Sequence, residues 1–142
     1  MAADPDPIEI AARALEHRDR SRRQVDERLE RAGVTEDGRA EALETLERIG
    51  YLDDERYALA RAVALAERGF GDEGIRHQLE RDGVQPTAAN AALAALEPEC
   101  DRAARIVARL GAGPKTAAHL GRKGFGEDAI EAAAAAVGGG DG

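Results

Sequence analysis

The chain has 142 residues, 43% hydrophobic, 34% charged and only 3% aromatic, with a formal net charge of −8. That charge excludes a protein held to nucleic acid by bulk electrostatics, because long-range repulsion opposes a phosphate backbone. Thirty-one alanines leave few large side chains for a core, and the wealth of Ala, Arg, Glu and Leu favours helices while offering strands little.

Residues 1–7 lack an apolar period and read as a flexible lead, with Pro7 at a helix start. Ile8, Ala11, Ala12 and Leu15 then share one helical face. Ser21 followed by Gln24 is a capping box that opens a second helix carrying Val25, Leu29 and Ala32, and Gly33 stops it. Thr35 or Asp37 starts a third helix with Leu43, Leu46 and Ile49. The stretch Gly50-Tyr51-Leu52-Asp53-Asp54-Glu55-Arg56-Tyr57 closes this unit and opens the next. Gly50 is the left-handed stop and Asp53 the N-cap, with Asp54 and Glu55 complementing the helix dipole. Leu52 and Tyr57 occupy the positions of a hydrophobic staple.

The same pattern returns fifty residues later: Leu65 matches Leu15, Ile75 matches Val25, and Leu79 to Val84 matches Leu29 to Val34. It returns again after a further forty-one, with Ile106 matching Leu65 and Leu120 to Phe125 matching Leu79 to Val84. The spacing between first-helix and second-helix anchors is 14 residues in every copy. This is repeat architecture. The expected fold is all-α: three tandem three-helix modules, over 8–51, 52–97 and 98–137, forming an elongated, gently curved rod with a flexible tail at 138–142. Tyr51-Leu52 and Glu97-Pro98-Glu99 are the expected joints, with Tyr51 and Leu52 setting the angle between the first two modules.

Little in the chain points to catalysis. His17, His77 and His119 fall one per module, away from ligand spacing with each other, so no metal site is expected. Cys100 is the single cysteine, which removes an intrachain disulfide and a cysteine metal site. Ser21, the single serine, is occupied as a cap, and capping also accounts for the adjacent Asp53 and Asp54. Gly69, Gly71 and Gly74 follow no strand and precede no Lys-Ser or Lys-Thr, so they mark a helix–helix turn rather than a phosphate loop. No catalytic residue, metal or cofactor is expected. No apolar run reaches about 18 residues and no signal peptide is evident, so a soluble cytoplasmic protein without a membrane partner is expected.

Charge placement says more than total charge. Arg102 to Gly126 holds Arg102, Arg105, Arg109, Lys115, Arg122 and Lys123 and no acid. Ala103, Ile106, Val107 and Leu110 form the apolar stripe there, which leaves Arg102, Arg105 and Arg109 together on a flank expected to face outward. A second basic cluster, Arg18, Arg20, Arg22 and Arg23, surrounds the turn between the first two helices, and the region between the clusters is acidic. Two basic faces separated by an acidic centre suit a large polyanionic or mixed-charge partner.

The run GYLDDERYA at Gly50 to Ala58, the helix endings LERAGV and LERDGV, and LGRKGFGEDAI from Leu120 to Ile130 resemble the RecX regulatory proteins over roughly residues 8–137. The resemblance implies tandem three-helix modules and a regulatory, non-enzymatic role in DNA recombination, repair and the SOS response. It implies a protein that binds the RecA recombinase and its filament on single-stranded DNA, lodging along the filament groove. Filament growth, ATP hydrolysis and strand exchange are then inhibited. The two basic faces are the expected partner-binding surfaces, and a monomer is expected. The acidic turn Gly69-Phe70-Gly71-Asp72-Glu73 departs from the family's often basic one, favouring contact with RecA protein over contact with phosphates. The alternative is a helical-repeat module that binds single-stranded DNA or acts as an adaptor without a RecA-specific role.

Overall fold

The computed structural model describes residues 6–138, and among them nine helices and no strand. The remainder of the expected lead and tail, residues 1–5 and 139–142, lies outside the described residues. The helices are α1 (Pro7–His17), α2 (Arg22–Arg31), α3 (Glu36–Arg48), α4 (Asp54–Glu67), α5 (Asp72–Arg81), α6 (Pro86–Ala94), α7 (Glu99–Leu110), α8 (Pro114–Arg122) and α9 (Glu127–Gly138).

Their starts follow local hydrogen-bond chemistry. Ser21 Oγ accepts the Gln24 N–H while the Gln24 side chain accepts the Ser21 N–H, completing the capping box of α2. Thr35, rather than Asp37, caps α3 by accepting the Gly38 N–H at 3.2 Å. Asp53 caps α4 by accepting from Glu55 and Arg56. Neither α5 nor α8 has a side-chain cap.

The helices pack in triplets, α1–α3, α4–α6 and α7–α9, each around its own core. Val25, Leu29, Leu43, Leu46 and Leu52 belong to the first core. Tyr57, Leu65, Ile75, Leu79 and Leu93 belong to the second, and Ile106, Val107, Leu120 and Phe125 to the third. Leu29, Leu79 and Leu120, the equivalent anchors of the three repeats, are all fully buried. Truncating any of them to alanine removes a side chain whose loss costs about 2–5 kcal/mol in a packed interior. Small cores strung in line make an all-α helical-repeat rod.

The first joint differs from expectation. Tyr51 is 57% exposed and Leu52 is buried in the first core, so neither sets the angle between modules. Leu52 and Tyr57, paired in sequence as a staple, fall in separate cores. The contact is made instead by the start of α2 and the turn after α5. Ser21 Oγ donates to the Asp82 carbonyl and the Arg23 guanidinium to the Arg81 carbonyl. Asp54 accepts the Arg22 N–H across the joint at 2.7 Å, while Tyr57, inside the second module, donates its hydroxyl to the Asp82 carboxylate at 2.7 Å and steadies the docking turn. Burial raises the Asp54 pKa.

The second joint uses the equivalent elements one module on. The turn after α8 meets the start of α5, where the Gly71 N–H donates to the Lys123 carbonyl at 2.9 Å and the Glu73 N–H to the Gly124 carbonyl at 3.1 Å. The backbones approach so closely that a Cβ at Gly74 would overlap the Lys123 carbonyl oxygen, and one at Gly124 would overlap the Gly74 backbone. Glu99, in the expected joint segment, ties the two modules further by accepting from the Asp72 N–H and the Gly126 N–H.

Candidate functional site: a basic cleft between the second and third modules

Closure of the second joint leaves a cleft of about 860 Å³ beside it, walled by the end of α4, the α6–α7 connection, α7 and the end of α8. Its apolar part comes from Val63, Leu96, Ile106 and Phe125. Arg68, Arg105, Arg109, His119 and Lys123 surround these, opposed by Glu67 and Glu97.

The cations differ in what holds them. Arg102, expected on an outward flank, is buried at 8% exposure. It donates to the carbonyls of Glu97 and Phe70 at 2.9 Å each and pairs with Asp72. Its guanidinium carbon lies 5.8 Å from the Phe125 ring centre. The amphipathic pattern placed it correctly on the edge of the α7 stripe, but the neighbouring module covers that edge. Arg102 is therefore a fastener of the joint. Arg105 is exposed and pairs with Glu97. Arg109, Arg68 and Lys123 have no carboxylate partner among the described residues. Lys123 stands 4.4 Å from the Phe70 ring centre and Arg68 lies 5.8 Å from it, both at cation–π range. Lys115 and Arg122 are exposed but do not line the cleft.

Arg68 escaped the reading of charge runs because it sits among acids, far along the chain from Arg102. The repeat register contains the missing signal: Arg68 is the equivalent of Arg109 at an offset of forty-one, and of Arg18 at an offset of fifty. Equivalent helix ends at one joint converge two of these three on a single cleft.

The amino-terminal basic cluster is largely engaged within the chain. Arg22 pairs with Glu47, and Arg23 reaches the turn after α5. Arg20 is half-buried, donates to the Ala14 carbonyl, and has its pKa lowered first by burial and then by Arg18, Arg28 and Arg31. Arg18 alone of the four is exposed with no side-chain partner among the described residues. Of the opening motif, Gly50 adopts φ +81° as a helix stop, while Asp53 caps and Asp54 braces the first joint. No group of three or more metal-ligating side chains converges among the described residues. No described helix is long and apolar enough to cross a membrane.

No family model matches the chain. It is 34% identical over 137 residues to the regulatory protein RecX of Xanthomonas axonopodis pv. citri (strain 306), covering 89% of this chain and 85% of that one. It is 30% identical over 137 residues to the RecX of Stenotrophomonas maltophilia (strain K279a), covering 89% of this chain and 84% of that protein. Among solved structures, RecX from Lactobacillus salivarius superposes with a TM-score of 0.79 at 20% identity, over 89% of this chain and 91% of that one. A second RecX crystal structure matches with a TM-score of 0.73 at 20% identity, over 89% and 72% of the two chains. The structural likeness carries the fold, the sequence identity carries the kinship, and together they establish that this chain belongs to the RecX family of regulatory proteins.

Proposed function

We propose that this protein binds the RecA recombinase, chiefly as its filament on single-stranded DNA, and restrains filament growth, ATP hydrolysis and strand exchange without catalysing a reaction itself. The observation that carries this reading is family membership joined to a rod whose joint presents a basic cleft. A rod that spans several filament subunits gains from many modest contacts, each of which requires the assembled filament. Direct DNA binding is secondary, since Glu67 and Glu97 sit beside the cleft cations and the whole chain is acidic.

The test is steady-state ATP hydrolysis by RecA on single-stranded DNA, titrated with the full chain. Inhibition that saturates is expected, and the Arg105→Glu/Arg109→Glu variant is expected to need about tenfold more protein for the same effect. Unchanged hydrolysis across a wide concentration range removes the proposal. Salt-sensitive binding to single-stranded DNA alone, with no effect on RecA, establishes the nucleic-acid module in its place.

A further inference from the structure

We infer that the cleft between the second and third modules is a receptor for an acidic, amphipathic peptide segment of a protein partner. This rests on the proposed regulatory binding role and specifies the chemistry of the segment recognised. Three features of the cleft carry it. The first is a surplus of positive charge: Arg68, Arg109 and Lys123 face the same space with no carboxylate partner among the described residues. Arg68 and Arg109 are exposed and Lys123 is partly buried, and three like charges lining one concave, partly apolar space concentrate their attraction for carboxylates there.

The second feature is apolar. Val63 is 40% exposed at the rim, and Leu59, one turn earlier on the same face of α4, is 42% exposed. Val63 leads into the buried wall formed by Ile106 and Phe125. An apolar strip flanked by cations matches a segment that carries leucine-like side chains on one face and Asp or Glu beside them. The third feature separates such a segment from nucleic acid. Base recognition on a single strand relies on open aromatic faces. Phe125 is 5% exposed, and Phe70 already holds Lys123 and Arg68 within cation–π distance. The wall also contains Glu67 and Glu97, which repel a continuous phosphate backbone but leave room for discrete carboxylates placed against Arg109 and Lys123.

The experiment uses the full chain and a fluorescein-labelled 16-residue synthetic peptide, roughly two heptads with Leu on one face and Glu beside it in i, i+4 pairs. Fluorescence anisotropy gives the affinity, with the Glu-to-Gln peptide and oligo-dT as the other arms. Binding of the Glu peptide is expected to exceed that of the Gln peptide by at least about tenfold and to weaken with salt. Arg109→Glu and, separately, Val63→Ser are each expected to weaken it severalfold while leaving the circular dichroism spectrum and melting profile unchanged. Both residues are exposed, so a folding defect does not obscure the result. Equal binding of the two peptides, or indifference to both substitutions, overturns the inference. Oligo-dT displacing the Glu peptide at comparable concentration also overturns it, in favour of a phosphate-binding surface. Because RecA is absent, peptide binding without inhibition of RecA defeats only the proposed function. Inhibition of RecA that survives loss of peptide binding defeats only this inference.

Discussion

The two joints of the rod use equivalent elements and are held by different chemistry. In each, the turn that follows one module's second helix docks on the start of the preceding module's second helix. At the first joint the docking turn carries Asp82 and the receiving helix start carries Ser21, Arg22 and Arg23. Side chains span the gap. At the second joint the docking turn carries Arg122 and Lys123, the receiving start carries Asp72 and Glu73, and backbone meets backbone through glycines. The charge order is reversed between the joints, but the bonds from receiver to turn go to backbone carbonyls of the turn in both, and the charged side chains pair elsewhere: Asp82 with Arg61, Asp72 with Arg102 and Glu73 with Arg76. Helix packing repeats while the means of joining changes, from side chains at the first joint to glycine backbone at the second. The lesson is that a repeat protein encodes sequence-specific joints in a few residues at helix ends, apart from the core anchors shared by all copies.

The largest way to break that difference is a methyl group at a joint glycine. Gly124 and Gly83 have nearly the same backbone, φ +89° at both, so Gly→Ala imposes similar conformational strain at each. Their surroundings differ: a Cβ at Gly124 strikes the Gly74 backbone, whereas one at Gly83 strikes the Arg23 side chain. Gly124→Ala is expected to cost about 3–5 kcal/mol and Gly83→Ala about 1–2 kcal/mol less than that, measured by urea denaturation. Hydrogen exchange read by mass spectrometry should show the loss of protection spreading from the second joint, with the first module spared. Equal costs would mean that the two joints are equally yielding.

Arg102→Ala comes next. It leaves two backbone carbonyls and Asp72 short of a donor, for an expected loss of about 2–3 kcal/mol, discounted because Asp72 keeps some contact with water. Arg102→Lys should recover little, since one ammonium cannot reach acceptors arranged around a planar fork. Recovery to wild-type stability would show that charge alone fastens the joint. At the first joint, Ser21→Ala removes both the α2 cap and the bond to the Asp82 carbonyl, an expected cost of about 1–2 kcal/mol in the same urea assay. Arg22→Gln, which loses an exposed pair with Glu47, should change stability by about 0.2–1 kcal/mol.

A comparison across pH belongs to Tyr57. Burial, reinforced by its bond to the Asp82 carboxylate, pushes its phenol pKa up to about 12. An unfolded tyrosine titrates near about 10, so the folded state holds the proton more tightly. Its contribution to stability is full below about pH 10 and is lost as pH rises from there toward 12. Thermal melts of the Tyr57→Phe variant should match wild type in shape at pH 8 and show a shallower decline across pH 10–12. A parallel decline in both proteins would remove Tyr57 as the cause.

The repeat register, the helix caps and the buried anchors were legible in the residues themselves. The box of Ser21 and Gln24, the cap at Asp53 and the buried triplet Leu29, Leu79 and Leu120 depend on periodicity and on hydrogen bonds that span two to four residues. Such local terms act in the same way wherever the helix finally lies. Tertiary structure alone decided which flanks are open. Arg102 and Arg109 are equally good flank residues on α7 by pattern, yet one is sealed against Phe70 and Asp72 while the other lines the cleft. Arg68 joins Arg109 only because the second joint closes, and Tyr51 yields its expected hinge role to Ser21 and Arg23 because the turn after α5 docks there. Periodicity tells a helix which side is apolar. It carries no record of which neighbour, thirty or sixty residues away, will cover the polar edge.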